Sequence, residues 1–196
     1  MNAPRFSSPP LLIVVAAPSG AGKTTLCSRL LADFGELRLS VSTTTRAPRG
    51  SEQEGRDYHF TSKEDFEAQI REGRFAEWAL VHGNYYGTSK DVLAGAFSRG
   101  DSVLLDIDVQ GSASLKQAFG DRCATFFVAP PSLEELEKRL RKRGTDSEES
   151  IRRRMENARE EMARAGEFDF QLVNDDLDGT SARLRAIVAG ILRRKP

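Results

Sequence analysis

Leu11-Leu12-Ile13-Val14-Val15-Ala16-Ala17-Pro18-Ser19-Gly20-Ala21-Gly22-Lys23-Thr24-Thr25 is the stretch that decides the fold. Its first seven residues are apolar without a break, as in a strand buried on both faces. Residues 18–22 interrupt the run, and residues 23–32 read as a helix with Gly35 placed to stop it. A glycine-rich turn between a buried strand and a helix can cradle a phosphate. Its backbone N–H groups wrap the anion, and the helix N-terminus adds positive potential. Residues 17–24 nearly match the phosphate-loop pattern, with Ala17 standing where the pattern has Gly. Gly20 and Gly22 permit a close backbone approach that side chains would block. In such a loop Lys23 reaches the β- and γ-phosphates of a nucleoside triphosphate, and the Thr24 hydroxyl binds Mg2+. The competing reading is a plain strand–helix turn with a solvated lysine; the correct context on both sides weighs against it.

Working outward, four more strands emerge. Leu37, Leu39 and Val41 alternate with polar residues. Residues 103–108 form an apolar run that ends in Asp106 and Asp108. Residues 124–129 are stopped by Pro130-Pro131, and residues 170–173 make the fifth strand. Ser132 to Glu135 resembles a capping box opening a helix that runs to Arg143 and ends at Gly144. Asp146 to Glu149 reads as another helix start, continued over 152–165. Residues 181–194 form an amphipathic terminal helix with Leu184, Ile187, Val188, Ile191 and Leu192 on one side. Strands alternating with helices predict an α/β fold, a five-stranded parallel sheet flanked by helices on both faces. Ligands in such sheets sit at the carboxyl ends of the strands. Asp106, ending an apolar strand beside a phosphate loop, is placed to hold Mg2+ through water; the alternative for Asp106 and Asp108 is a pair of strand-end capping acids.

Residues 43–86 differ in character. They are polar, rich in Gly, Arg and aromatics, and carry one evident helix, 63–72, opened by Ser62 and Asp65 and closed by Gly73. This reads as a small inserted substrate domain. Residues 1–10, rich in Pro and Ser, read as a disordered tail.

Composition excludes several classes. Lys plus Arg is 29 and Asp plus Glu is 29, so the formal net charge is zero. No global field attracts nucleic acid, and phosphate binding must come from local clusters such as the arginines at 139–143 and 152–154. The two cysteines form no CxxC pair and suggest no disulfide framework, which fits a reducing compartment. No apolar run is long enough to span a bilayer. A cytoplasmic protein with small-molecule substrates, and with neither nucleic acid nor membrane as partner, is the expectation.

The middle of the chain narrows the chemistry. Ser40-Val41-Ser42-Thr43-Thr44-Thr45-Arg46-Ala47-Pro48-Arg49 is followed by Gly55-Arg56-Asp57-Tyr58-His59-Phe60, Glu77-Trp78 and Gly83-Asn84-Tyr85-Tyr86-Gly87-Thr88. Then come Leu105-Asp106-Ile107-Asp108-Val109-Gln110-Gly111, the segment from Arg139 to Thr145, and Val173-Asn174-Asp175-Asp176. In this order and spacing the chain resembles the guanylate kinases over about residues 11–192.

The resemblance implies a phosphate-loop kinase core formed by 11–39, 97–134 and 161–196. It also implies an inserted α+β GMP-binding domain over 40–96 and a helical lid over 135–160. The implied activity is Mg-dependent transfer of the γ-phosphoryl group of ATP to GMP. ATP is then held by Ala17, Pro18, Ser19, Gly20, Ala21, Gly22, Lys23, Thr24 and Thr25, with Arg139, Arg143 and Asn174. For Asn174 a helix cap at the strand end is the alternative to an adenine contact. The GMP phosphate falls to Arg46, Arg49, Tyr58 and Tyr86, two forked cations and two phenols suited to a dianion. The base falls to Ser42, Glu77, Thr88 and Asp108, with Asp106 close by. A carboxylate can accept from both N1–H and the 2-amino group of guanine, which adenine does not offer in that arrangement. Thr88 keeps the hydroxyl where the family often has Ser. Lys23, Arg46, Arg143 and Arg154 carry the catalytic charge, and Thr24 and Asp106 the metal. Two other readings are a non-catalytic guanylate-kinase-like binding module, which usually lacks the loop lysine, and a kinase for another small phosphate ester.

Overall fold

The computed structural model describes residues 10–81, 83–144 and 147–193, apart from the side chain of Arg143. In chain order the elements are β1 (Leu12–Ala16), α1 (Lys23–Asp33), β2 (Leu37–Leu39), β3 (Thr43–Thr44), β4 (His59–Phe60), α2 (Lys63–Arg71) and β5 (Phe75–Val81). There follow β6 (Asn84–Ser89), α3 (Lys90–Ser98), β7 (Ser102–Asp106), α4 (Val109–Phe119), β8 (Cys123–Ala129), α5 (Leu133–Arg143), α6 (Glu148–Ala163), β9 (Phe170–Val173) and α7 (Leu177–Arg193).

Five strands pair in the order β2-β7-β1-β8-β9, all in parallel. Strand side chains alternate between faces, so β1 feeds two cores. Ile13 and Val15 join Leu104, Phe126 and Val128 against Leu26 and Leu30 of α1 and Leu184 and Val188 of α7. Leu12 and Val14 join Val103 and Leu105 against Leu93 of α3 and Leu115 of α4. Every residue of β1 is wholly buried, and full burial of one such side chain contributes about 1.5–3 kcal/mol. The uninterrupted apolar run is therefore what a central strand covered on both faces requires.

A second sheet, ordered β4-β3-β6-β5, is built from residues 43–89. Phe66 of α2 stacks between Phe75, 4.4 Å away, and Tyr85, 5.1 Å away. Gly87 makes this possible, because a Cβ there would lie 3.0 Å or less from both Phe66 and Phe75. The register shifts between Phe75 and Glu77, which sets Glu77 opposite Thr88. A bulge of this kind re-aims one side chain without ending the strand. The helix pair α5–α6 has its own apolar seam of Leu136, Leu140, Ile151, Met155 and Ala158.

The capping expectations at Ser62 and Ser132 hold: their side chains accept from Asp65 N at 3.0 Å and Glu135 N at 3.2 Å. Gly144 closes α5 in the left-handed conformation. Other boundaries shift. Val41 is outside β2, because Leu39 is already 42% exposed at the sheet edge and the chain turns toward β3. The strand expected over 103–108 ends at Asp106, and Asp108 instead caps α4. The last helix begins at Leu177 rather than 181, because Asp176 accepts from Asp178 N and Gly179 N and so supplies the cap. The start expected at Asp146 lies outside the described residues; Ser147 caps α6, accepting from Ser150 N. Arg194 and the tail expected to be disordered lie outside them too, apart from Pro10. Among the described residues, no helix is long and apolar enough to cross a membrane.

Leu105→Ala, at a site with no exposure, is expected to lower unfolding free energy by about 2–5 kcal/mol. Leu39→Ala, at the exposed edge, should change it by about 0.5 kcal/mol or less. Denaturant titration of both variants checks this ranking.

Candidate active site

The carboxyl ends of β1 and β7 open onto a cleft of about 600 Å³. On one wall is the phosphate loop. Ala21 N donates to Pro18 O, and Gly20 and Gly22 both hold φ near +95°, where a side chain is strained. Both glycines are also crowded. A Cβ on Gly20 would press on Leu136 and Leu140, and one on Gly22 would lie 2.5 Å from Asn174 Nδ2. Lys23 starts α1, and its Nζ lies 2.6 Å from Asp106 Oδ1 and 3.1 Å from Ile107 O. Burial works against the charge on Lys23, but the Asp106 carboxylate outweighs it and holds the pKa above the ordinary lysine value. Thr24 and Thr25 line the same wall.

Across the cleft stand Ser42, Arg49, Tyr58, Glu77 and Tyr86. The rings of Tyr58 and Tyr86 meet edge-on at 5.9 Å. Burial raises the Tyr58 phenol, which therefore stays protonated and able to donate. Arg46 sits just behind, 8% exposed, with its guanidinium 5.3 Å from the Tyr58 ring centre. Its Nη2 bonds both carboxylate oxygens of Glu52 at 2.9 Å, and Arg49 N donates to the same carboxylate at 2.8 Å. Burial opposes the Arg46 charge, yet hydrogen bonds to Glu52 and Tyr86 raise its pKa overall. Glu52 thus organises both arginines of the pair, a role the sequence reading did not assign.

Glu77 is 5% exposed, and Thr88 Oγ1 donates to its Oε1 at 2.5 Å. Burial pushes the Glu77 carboxyl up to about 7; the Thr88 bond opposes the rise and the charge on Asp108 adds to it. Asp108 accepts from Gln110 N at 2.7 Å and Gly111 N at 3.2 Å. Asp106 and Asp108 both line the cleft.

Several expected positions fall elsewhere. Thr88 is wholly buried and spends its hydroxyl on Glu77, so in this structure it braces that carboxylate rather than facing the cleft. Asn174 is 4% exposed and donates from Nδ2 to Ala21 O at 2.7 Å. It is a prop under the phosphate loop here, neither a cleft residue nor a helix cap. Arg139 does not line the cleft; it donates to Asn174 O at 3.2 Å and Glu135 Oε1 at 3.4 Å. The Arg143 side chain lies outside the described residues. Arg154 does line the cleft, and its Nη1 donates to Ser19 Oγ at 2.6 Å.

Val81, Asn84 and Glu161 also line it without having been expected. Burial pushes the Glu161 carboxyl up to about 7, against the pull of Lys23 and with the push of Asp108. A spacing of seven on one helix puts Glu161 on the same face as Arg154, a signal the sequence did carry.

The donors suit magnesium. Thr24 and Asp106 offer hard oxygens beside the phosphate loop, and magnesium commonly takes one or two protein oxygens and fills the rest with water and phosphate. Among the described residues, no group of three or more His, Cys, Asp or Glu side chains is gathered to hold a metal unaided.

Glu77 gives a pH test. Its pKa is higher folded, about 7, than its ordinary 4.5, so the folded state binds more protons between those values. Its contribution to stability is complete below 4.5 and declines as pH rises through about 7. Glu77→Gln abolishes the titration but keeps an acceptor for Thr88. The melting-temperature difference, variant minus parent, should grow more positive across that window; a difference independent of pH would refute the buried-carboxylate assignment.

Comparison with known proteins agrees with the site. The guanylate kinase family model matches residues 10–190. The chain is 52% identical over 181 residues to the guanylate kinase of Anaeromyxobacter dehalogenans, covering 92% of this chain and 80% of that one. It is 48% identical over 189 residues to the guanylate kinase of Myxococcus xanthus, covering 96% and 90%. The crystal structure of guanylate kinase from Anaplasma phagocytophilum superposes with a TM-score of 0.78 at 31% identity, covering 94% of this chain and 87% of that one. With a phosphate loop on one wall, an arginine–tyrosine group on the other and relatives of this kind along almost its whole length, the chain belongs to the guanylate kinase family.

Proposed function

We propose that the cleft transfers the γ-phosphoryl group of ATP to the phosphate of GMP, giving ADP and GDP. The observation that carries this reading is that one cleft brings together Gly20, Gly22 and Lys23 of the phosphate loop with Arg49, Tyr58 and Tyr86. On this reading the triphosphate lies along the loop formed by residues 17–25. Lys23 leaves Asp106 and takes the β- and γ-phosphates. Thr24 and Asp106 would hold Mg2+ together with ATP, and the ion would supply positive charge to the phosphates. Arg46, Arg49, Tyr58 and Tyr86 grip the GMP phosphate, and Ser42, Glu77 and Asp108 read guanine with Thr88 behind them.

GMP's phosphate oxygen is anionic near neutral pH and needs no strong general base. Transfer therefore rests on positioning and on preorganised charge. Residues 40–96 act as the GMP-binding domain and 135–160 as the lid. Lid closure brings Arg154, with Arg139 and Arg143, to the transferring group and excludes water that would otherwise take the phosphoryl group. Both cysteines are buried and unbridged, which fits the reducing cytoplasm where we place the protein.

An acceptor screen with Mg-ATP, read as ADP formation, tests the reading. GMP should be preferred over AMP by about 10⁴-fold in kcat/KM, because AMP leaves a buried carboxylate without donors. AMP working as well as GMP would overturn it. Lys23→Ala should keep the fold and lower kcat by about 10³-fold, the scale of losing one preorganised donor of charge; near-normal turnover would remove Lys23 from the mechanism.

A further inference from the structure

Gly111 lies inside α4, where glycine has no conformational advantage, and its φ is not in the left-handed range. On helix propensity alone alanine would be favoured there. What surrounds it explains the choice. A Cβ built on Gly111 would collide with Glu77 Oε2, lie 3.0 Å from Glu77 Cδ and 3.3 Å from Ile107 Cδ1. The other oxygen of the same carboxylate is held by Thr88. Glu77 is thus clamped between a hydroxyl on β6 and a missing side chain on α4. The backbone N–H of Gly111 also donates to Asp108, which caps the helix.

We infer that Gly111 is a positioning residue for guanine selection: the first turn of α4 seats both acidic side chains that meet the base, one by capping and one by the absence of a Cβ. This rests on the reading in which Glu77 and Asp108 bind guanine. The N-terminal end of a helix also favours negative charge. It therefore offsets part of the repulsion and burial that work against an ionised Glu77. The clash falls on the far end of a side chain, so a methyl at 111 should move the carboxylate rather than break the fold. That separates positioning from stability.

The test uses the full chain. Gly111→Ala should melt at or above the parent temperature, raise KM for GMP by about tenfold, corresponding to about 1.4 kcal/mol of lost binding, and leave KM for ATP within about twofold. The preference for GMP over AMP should fall with it. Glu77→Asp draws the carboxylate back from position 111. Combined with Gly111→Ala it should give a GMP KM well below the product of the two single effects, as coupled neighbours do. A folded Gly111→Ala protein with parental GMP KM, or strict multiplication in the double variant, would overturn the inference while leaving the guanine reading intact. Glu77→Gln with parental GMP KM and selectivity would instead overturn the guanine reading.

Discussion

Val15 sits opposite Asp106 in the parallel ladder of β1 and β7, and the cleft is built out from that register. The phosphate loop leaves the end of β1, and Asp106 ends β7, so a lysine at the start of α1 meets a carboxylate 2.6 Å away. The sheet supplies this geometry, with Ile13 and Val15 packed into the core on one face and Leu12 and Val14 into the core on the other. Lys23 and Asp106 are each only about a quarter exposed. Charges that far out of water need a partner. Before a nucleotide arrives the partner is Asp106, and on the proposed reading the phosphates take over. Lys23 is thus held beside the loop by the fold itself.

The opposite wall works by another rule. The part that the proposed reading gives to the GMP phosphate is held by internal pairs: Glu52 fixes Arg46 through both oxygens and steadies the backbone of Arg49. The side that the proposed reading gives to the base is held by burial, with Glu77 kept out of water against its own tendency to ionise. A carboxylate placed this way discriminates well, because a ligand that offers it no donors leaves it buried and unpaired. The same placement makes the site dependent on its supports, Thr88 on one side and the first turn of α4 on the other.

How much of this the sequence shows follows from the range of each interaction. The buried run at β1, the caps at Ser62 and Ser132 and the stop at Gly144 are local, and they read correctly from a few residues. The phosphate loop is local too, since strand, turn and helix are contiguous. The helix start at Leu177 does not stand out in the sequence because its cap, Asp176, lies among the acids Asp175 and Asp178. The roles of Asn174 and Thr88 are not local. Asn174 braces Ala21 from 153 positions away, and Thr88 braces Glu77 across a strand pair shifted by a bulge. A motif match brings such residues to the neighbourhood of the site but does not say whether they face the ligand or hold up a neighbour.

The helix pair α5–α6 shows why that distinction affects function. Gly20 lies so close to Leu136 and Leu140 that a Cβ would crowd both, and Arg154 already reaches Ser19. The base of the proposed lid is therefore in contact with the donor loop itself. Asn174 lies under the same loop and accepts from Arg139 through its carbonyl, so loop, prop and lid arginine form one chain of contacts. On the proposed reading a phosphate entering the loop finds Arg154 already beside Ser19, and lid closure has only to complete its approach. Closure, on that reading, joins two walls held in different ways: the donor wall by the sheet, and the acceptor wall by the Arg46–Glu52 pair and the Glu77–Thr88 bond.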